Sequence, residues 1–320
     1  MEKVTMKNIT STIDSTNANT REELLQIAPP VEPRGFTDFW KITYRDAICI
    51  DLNIERREIA SIRPDFETFE IEFNSWEDVR IGGWITVPLN SKADHAVVMG
   101  HGYGGRSEPG FNPGSITISA CVRGFNRSVH PRFPSTALEH VVVGIESRET
   151  YVHRGCVVDF WCAASALIAC YPLPADRLYY RGSSFGGGIG AHVLAWDPRF
   201  KRGVLDLPSF GNYPLRVQLP CVGSGEAIRL AHLHHPEVLD VLAYYDAACA
   251  ARHITVPTLV APALFDPAVP PPGQFAVANA IRAPRELFIR QVGHLFNRTE
   301  IREDRELEKR IENWFSRRTI

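Results

Sequence analysis

The 320-residue sequence predicts an α/β fold, a mostly parallel sheet flanked by helices and preceded by an N-terminal extension. Three observations predict it. Short apolar runs such as His95–Gly100 and Thr258–Phe265 lack strict alternation, as strands buried on both faces do. Helical stretches alternate with these runs. A glycine cluster, Gly182 to Gly190, stands where a strand passes into a helix.

Taken in order, Met1–Pro33 reads as a polar arm, and Phe36–Arg45 as a short amphipathic helix with Phe36, Phe39 and Trp40 on one side. From Phe66, the residues Phe69, Ile71 and Phe73 alternate with polar ones, the period of a half-buried strand. Val79–Pro88 follows a polar turn, so the two segments predict an antiparallel hairpin at a sheet edge. Further strands are expected at His95–Gly100, Ile116–Val122, Val141–Ile145, Arg177–Tyr180, Arg202–Leu207, Thr258–Phe265 and Glu286–Val292. Helices are expected at Tyr151–Cys170, Gly187–Trp196, Pro236–Ala251, Gln274–Ile281 and Ile301–Phe315. Leu207–Leu233 lacks periodicity and reads as a loop or cap over the strand ends. The organisation is an extension over 1–65 and one catalytic unit over 66–320.

Composition narrows the function. Hydrophobic residues at 44% supply a core, and 35 basic against 37 acidic residues give a net charge of -2. No nucleic-acid partner is expected from that balance. No apolar h-region occupies Met1–Arg21, and no apolar run approaches the roughly 18 residues of a membrane span, so neither secretion nor membrane insertion is expected. Seven cysteines, an odd number without a C-x-x-C pair, fit a reduced cytoplasmic protein. His232, His234 and His235 cluster without a partner cysteine or an H-E-x-x-H pattern, so no metal is expected. The G-H-G-Y-G-G run lacks the Lys-Ser/Thr of a phosphate loop, and no cofactor is expected.

The chemistry concentrates in Gly182-Ser183-Ser184-Phe185-Gly186. A G-x-S-x-G between strand and helix throws its serine into a strained turn above the sheet, which makes Ser184 the candidate nucleophile. A serine hydroxyl needs a base, and the base an orienting carboxylate. Asp266 follows an apolar strand, and His294 follows another after a glycine, in the chain order Ser, Asp, His that this fold uses. The oxyanion of an acyl-transfer reaction would sit on the backbone N–H of Phe185, just after the serine, and on that of Tyr103 in the glycine run after an earlier strand. Phe125, Pro208 and Phe210 are the candidate pocket residues.

The chain resembles the acetyl xylan esterase and cephalosporin C deacetylase family of α/β-hydrolases, carbohydrate esterase family 7, from about Phe36 to Arg317. The resemblance rests on D-F-W at Asp38–Trp40, H-G-Y-G-G at His101–Gly105, R-G at Arg123-Gly124 and E-T-Y-V-H-R-G at Glu149–Gly155. It continues in G-S-S-F-G-G-G at Gly182–Gly188, D-P-R-F at Asp197–Phe200, D-P-A-V-P-P at Asp266–Pro271 and G-H at Gly293-His294. It implies the same triad and the same two amides, deacetylation of small acetylated sugars or cephalosporin-like esters, and closed homo-oligomers. The family's R-G-Q reads Arg123-Gly124-Phe125 here, its G-x-S-Q-G-G carries Phe185, and its H-E reads His294-Leu295. Glu108–Ser115, between the oxyanion loop and the next strand, is short. A small-molecule ester is thus the expected partner. The rival readings are a triad acting on a lactone, thioester or amide, and a hydrolase-like binding protein without turnover.

Overall fold

The computed structural model describes residues 19–90, 93–172 and 177–317. Nine strands form one sheet: β1 (Glu55–Ile59), β2 (Phe66–Asn74), β3 (Arg80–Pro88), β4 (His95–Met99), β5 (Ser115–Ala120), β6 (Leu178–Ser183), β7 (Phe200–Asp206), β8 (Thr258–Ala261) and β9 (Arg285–Leu287). Their spatial order is β1-β2-β3-β5-β4-β6-β7-β8-β9. The β1–β2, β2–β3 and β3–β5 pairs are antiparallel, and every pair from β5 to β9 is parallel. The predicted hairpin is β2–β3, with Phe69 opposite Ile85 and Phe73 opposite Ile81. All five residues of β4 and all six of β5 are buried, as continuous apolar runs in a covered parallel sheet should be.

The helices are α1 (Arg21–Leu24), α2 (Phe36–Ala47), α3 (Ala137–His140), α4 (Val152–Cys170), α5 (Phe185–Trp196), α6 (Tyr213–Arg216), α7 (Ser224–His234), α8 (Val238–Leu242), α9 (Ala247–Ala251), α10 (Pro271–Ala280) and α11 (Arg298–Ser316). Strand alternation divides the core. Ala96, Val98 and Tyr180 join the cluster with α2, α4, α5, α9 and α10, while Val97 and Tyr179 face Leu307, Ile311, Trp314 and Phe315 of α11. By length and composition α4 is apolar enough to cross a membrane, contrary to the sequence expectation of no such run, yet most of it is buried inside the fold. A helix apolar on all sides suits a core position.

Several boundaries differ for identifiable reasons. The sequence predicts no strand before Phe66, yet β1 pairs with β2. Its E-R-R-E-I carries no apolar alternation because four of its five residues are exposed at the sheet edge. Val141–Ile145, expected as a strand, continues α3 as helical turns, with Val141 N–H donating to Ala137 C=O at 3.2 Å and Val143 N–H to His140 C=O at 3.2 Å. Its buried members Val141 and Ile145 are four residues apart, one face of a turn. Pro236–Ala251 is not one helix but α8, a 3-10 turn over Ala243–Tyr245, and α9. Asp246 interrupts it as an N-cap, its carboxylate accepting Ala248 N–H at 2.9 Å and Cys249 N–H at 3.2 Å. Leu207–Leu233 contains α6 and most of α7. Glu286–Val292 stops pairing as a strand after Leu287 apart from a bridge at Arg290. The helix expected from Gln274 begins three residues earlier, with Pro271 and Pro272 in the first turn of α10, where a missing N–H costs nothing.

Part of the expected polar arm, residues 1–18, lies outside the described residues. Beyond it the extension is tied into the body: Trp40 is fully buried and its indole N–H donates to Tyr244 C=O at 2.7 Å. The β4–β5 connection, residues 100–114, contains no helix. Its backbone satisfies a polar patch of the sheet directly. Gly110 N–H donates to Ser119 Oγ at 2.9 Å, and Thr86 Oγ1 donates to Gly110 C=O at 2.8 Å.

Candidate active site

The strand ends bring the candidate residues together. β6 runs into α5 with one residue between, Ser184, whose backbone is held at φ 55°, ψ -113°. A non-glycine residue there is strained. Three hydrogen bonds fix it: Ser184 N–H to Asp206 C=O at 2.9 Å, and Gly188 N–H and Ser209 N–H to Ser184 C=O at 3.0 and 3.2 Å. Gly186 is required by close approach, since a Cβ there would lie 2.9 Å from His101 O and 3.0 Å from Gly100 C. Through that contact Gly186 N–H donates to His101 C=O at 2.9 Å, joining the elbow to the glycine run 100–105.

His294 lies between the other two. Its Nε2 is 3.0 Å from Ser184 Oγ and its Nδ1 is 2.7 Å from Asp266 Oδ2. Gly293 makes this possible, because a Cβ there would come within 2.5 Å of Asp266 Oδ2. Asp266 is fully buried and its other bonds are donated to it: Ala268 and Val269 N–H reach Oδ1 at 2.9 Å each, and Gln274 Nε2 reaches Oδ2 at 3.0 Å. Burial works against a charged His294, but the attraction and hydrogen bond of Asp266, with the charges of Asp206 and Glu300, hold its pKa above the ordinary value. Neutral imidazole with hydrogen on Nδ1 then presents a bare Nε2 to the serine hydroxyl.

Phe185 is the first residue of α5, so its N–H has no acceptor within the helix. Its ring packs on that of Tyr103 with centroids 4.3 Å apart. Phe125 and Phe210 also surround the Tyr103 ring, at 5.8 and 6.2 Å, and both are buried. Pro208 is buried against the elbow. A cavity of about 600 Å³ opens between the β4–β5 loop and α11, lined by Arg106, Arg181, Ser183, Asp206 and Glu308 among others. It flanks the elbow on the α11 side.

A family model described as acetyl xylan esterase (AXE1) matches residues 23–309. The chain belongs to the acetyl xylan esterase family. Its fold is that of the α/β-hydrolases. Acetyl esterase Axe7A of Xylanibacter ruminicola is 23% identical over 283 residues, which cover 84% of this chain and 64% of that protein. The chain thus spans less than two thirds of that relative's length. The acetyl xylan esterase of Paenibacillus sp. R4 superposes with a TM-score of 0.80 at 19% identity, covering 91% of this chain and 99% of that one. Acetyl xylan esterase 1 of Thermoanaerobacterium sp. JW/SL YS485 gives 0.78 at 21% identity, covering 92% and 99%. At these identities the likeness is one of fold.

No sequence pattern singled out the residues that hold the loop carrying His294. Glu300 and Glu303 of α11 are buried, and between them accept five consecutive or near-consecutive backbone N–H groups from Gln291, Val292, His294, Leu295 and Phe296. The available signal was Asn297 three residues before Glu300, an N-cap spacing. It locates a helix start without revealing that the glutamate side chain turns back onto the histidine loop. His192 of α5 is buried with its ring 4.4 Å from that of Trp40.

Proposed function

We propose that this chain hydrolyses short-chain acyl esters, acetyl esters first, through an acyl-enzyme on Ser184. The observation that carries the reading is the unbroken row Ser184–His294–Asp266, at 3.0 and 2.7 Å. His294 Nε2 takes the hydroxyl proton as Oγ attacks the ester carbonyl carbon. Asp266 fixes the imidazole tautomer and offsets the positive charge that forms. The carbonyl oxygen becomes an oxyanion held by the Tyr103 and Phe185 N–H groups. On collapse, the imidazolium gives its proton to the departing alcohol oxygen. Water then enters with His294 again as base, and releases the acid and free Ser184. Phe125, Pro208 and Phe210 would bound the acyl side with apolar surface.

Membership of the acetyl xylan esterase family, together with the names of its relatives, supports acetyl as the acyl group. The two phenylalanines, Phe125 and Phe185, keep a second reading open, a triad working on a lactone, thioester or amide. A substrate panel on purified protein tests both. Acetyl esters should turn over, and Ser184→Ala should lower kcat by about 10⁴-fold or more. Undiminished turnover by Ser184→Ala would end the assignment. Preference for a lactone or thioester over acetyl esters would select the second reading.

A further inference from the structure

Tyr103 stands between Gly102 and Gly104, where an added Cβ would meet nothing within 4 Å, although the ends of the run are tied by Gly186 N–H to His101 C=O at 2.9 Å and Gly105 N–H to Gly102 C=O at 3.0 Å. Its side chain, by contrast, is gripped at the tip. The phenol oxygen is 3.0 Å from His140 Nδ1 and 3.1 Å from His153 Nε2. Both histidines are buried.

The protons in this arrangement can be assigned from acceptors alone. His140 Nε2 lies 3.0 Å from Arg123 C=O, which can only accept, so Nε2 carries hydrogen. Neutral imidazole then has a bare Nδ1, which accepts the Tyr103 O–H. With its single proton committed, the phenol oxygen must accept from His153 Nε2–H. That leaves His153 Nδ1 bare, in agreement with its having no hydrogen-bond partner among the described residues. Burial pushes His140 down to about 4 and His153 well below its ordinary value, so both are neutral near pH 7. The far end of the chain is fixed as well. Arg123 Nη2 and Nε reach the two oxygens of Asp159 at 2.8 and 3.1 Å, and Ser75 Oγ donates to the same carboxylate at 2.6 Å.

We propose that His140 and His153 are positioning residues for the oxyanion site: they clamp the Tyr103 phenol, and through it hold the Tyr103 backbone N–H at the place where the oxyanion forms. This rests on the acyl-enzyme reading above. The clamp supplies a rigidity that the glycines of the loop lack. Its benefit falls on the transition state, because the oxyanion exists only after Oγ has bonded to the carbonyl carbon.

The test uses full-length protein and four variants: Tyr103→Phe, which keeps the ring packing on Phe185, His140→Leu, His153→Leu and His153→Gln. The Gln amide N–H can replace the His153 donor. Each is assayed for kcat, KM, melting temperature and inhibition by trifluoroacetone. That ketone adds Ser184 Oγ to its carbonyl carbon; the hydroxyl proton passes to His294 and the carbonyl π electrons to the oxygen held by the two amides. Tyr103→Phe, His140→Leu and His153→Leu should lower kcat about ten- to a hundredfold with KM within about threefold, and weaken trifluoroacetone in proportion. His153→Gln should recover most of both. If Tyr103→Phe and His153→Leu keep kcat and trifluoroacetone affinity within about twofold, while only the melting temperature falls, the histidines serve packing alone and the proposal is overturned. If instead the wild-type protein hydrolyses no ester and a fluorophosphonate leaves Ser184 unlabelled, it is the acyl-enzyme reading that has failed.

Discussion

The carboxylate of Glu300 accepts the backbone N–H of His294 at 2.7 Å, and its second oxygen accepts Leu295 N–H at 2.9 Å and also Phe296 N–H. His294 and Phe296 both have positive φ, 54° and 52°. A non-glycine backbone keeps such angles only where its surroundings compel it, and here one buried glutamate from α11 does so. Replacing Glu300 by Ala leaves three N–H groups without their acceptor. The expected cost is about 2–4 kcal/mol of stability, with kcat down about tenfold or more as the imidazole loses its alignment. Glu300→Gln should fall between. Urea unfolding and steady-state kinetics read the two effects, and a kcat unchanged in Glu300→Ala would detach the glutamate from catalysis.

The pH profile follows from His294. As a base it must be neutral, so kcat/KM should rise with pH through its pKa, at a midpoint above the ordinary 6.5. Asp266→Asn removes the charge that favours the imidazolium while burial still opposes it. The midpoint should move to lower pH, and the plateau should fall by about 10⁴-fold. The stability linkage has the same origin. Because the folded pKa is raised, protonation of His294 stabilises the fold fully below about pH 6.5, and that contribution is lost as pH rises through the folded value. An acid limb that stays in place in Asp266→Asn would contradict Asp266 as the controlling charge.

Gly186→Ala should damage structure and activity together. The new methyl would lie 2.9 Å from His101 O and 3.0 Å from Gly100 C, both backbone atoms unable to rotate away. Separating α5 from the 100–105 loop also strains the Gly186 N–H to His101 C=O bond. A destabilisation of about 1–3 kcal/mol is expected, with kcat/KM falling more than stability alone explains. A melting scan paired with kinetics on the folded fraction separates the two.

Ser183→Ala is the control for the elbow. Ser183 Oγ donates to Asp206 Oδ2 at 2.7 Å and takes no part in the bond between His294 and Ser184. Its loss should cost about 1 kcal/mol and leave kcat within about threefold, since Ser184 is anchored by its own N–H to Asp206 C=O at 2.9 Å. Loss of activity comparable to Ser184→Ala would mean that the wrong serine has been assigned.

The sequence by itself determined the class of the fold and singled out the candidate triad Ser184, Asp266 and His294. Buried parallel strands need continuous apolar runs, a nucleophile elbow needs small residues on both sides, and this fold uses its serine, acid and histidine in one chain order. Those are local or ordered signals, and each survives in a linear string. Elements without such a signal were legible only in three dimensions. β1 is an exposed edge with charged residues on both faces, and Val141–Ile145 is a short apolar run whose period cannot separate strand from helical turn. The support of the site was likewise decided by tertiary structure. Glu300 holds His294 from the adjoining helix, His140 and His153 reach Tyr103 from sequence distances of 37 and 50 residues, and Asp159 holds Arg123 from 36 residues away. Such contacts join one residue's side chain to another's backbone or tip across packed elements, and no spacing along the chain encodes which of the buried polar groups will meet.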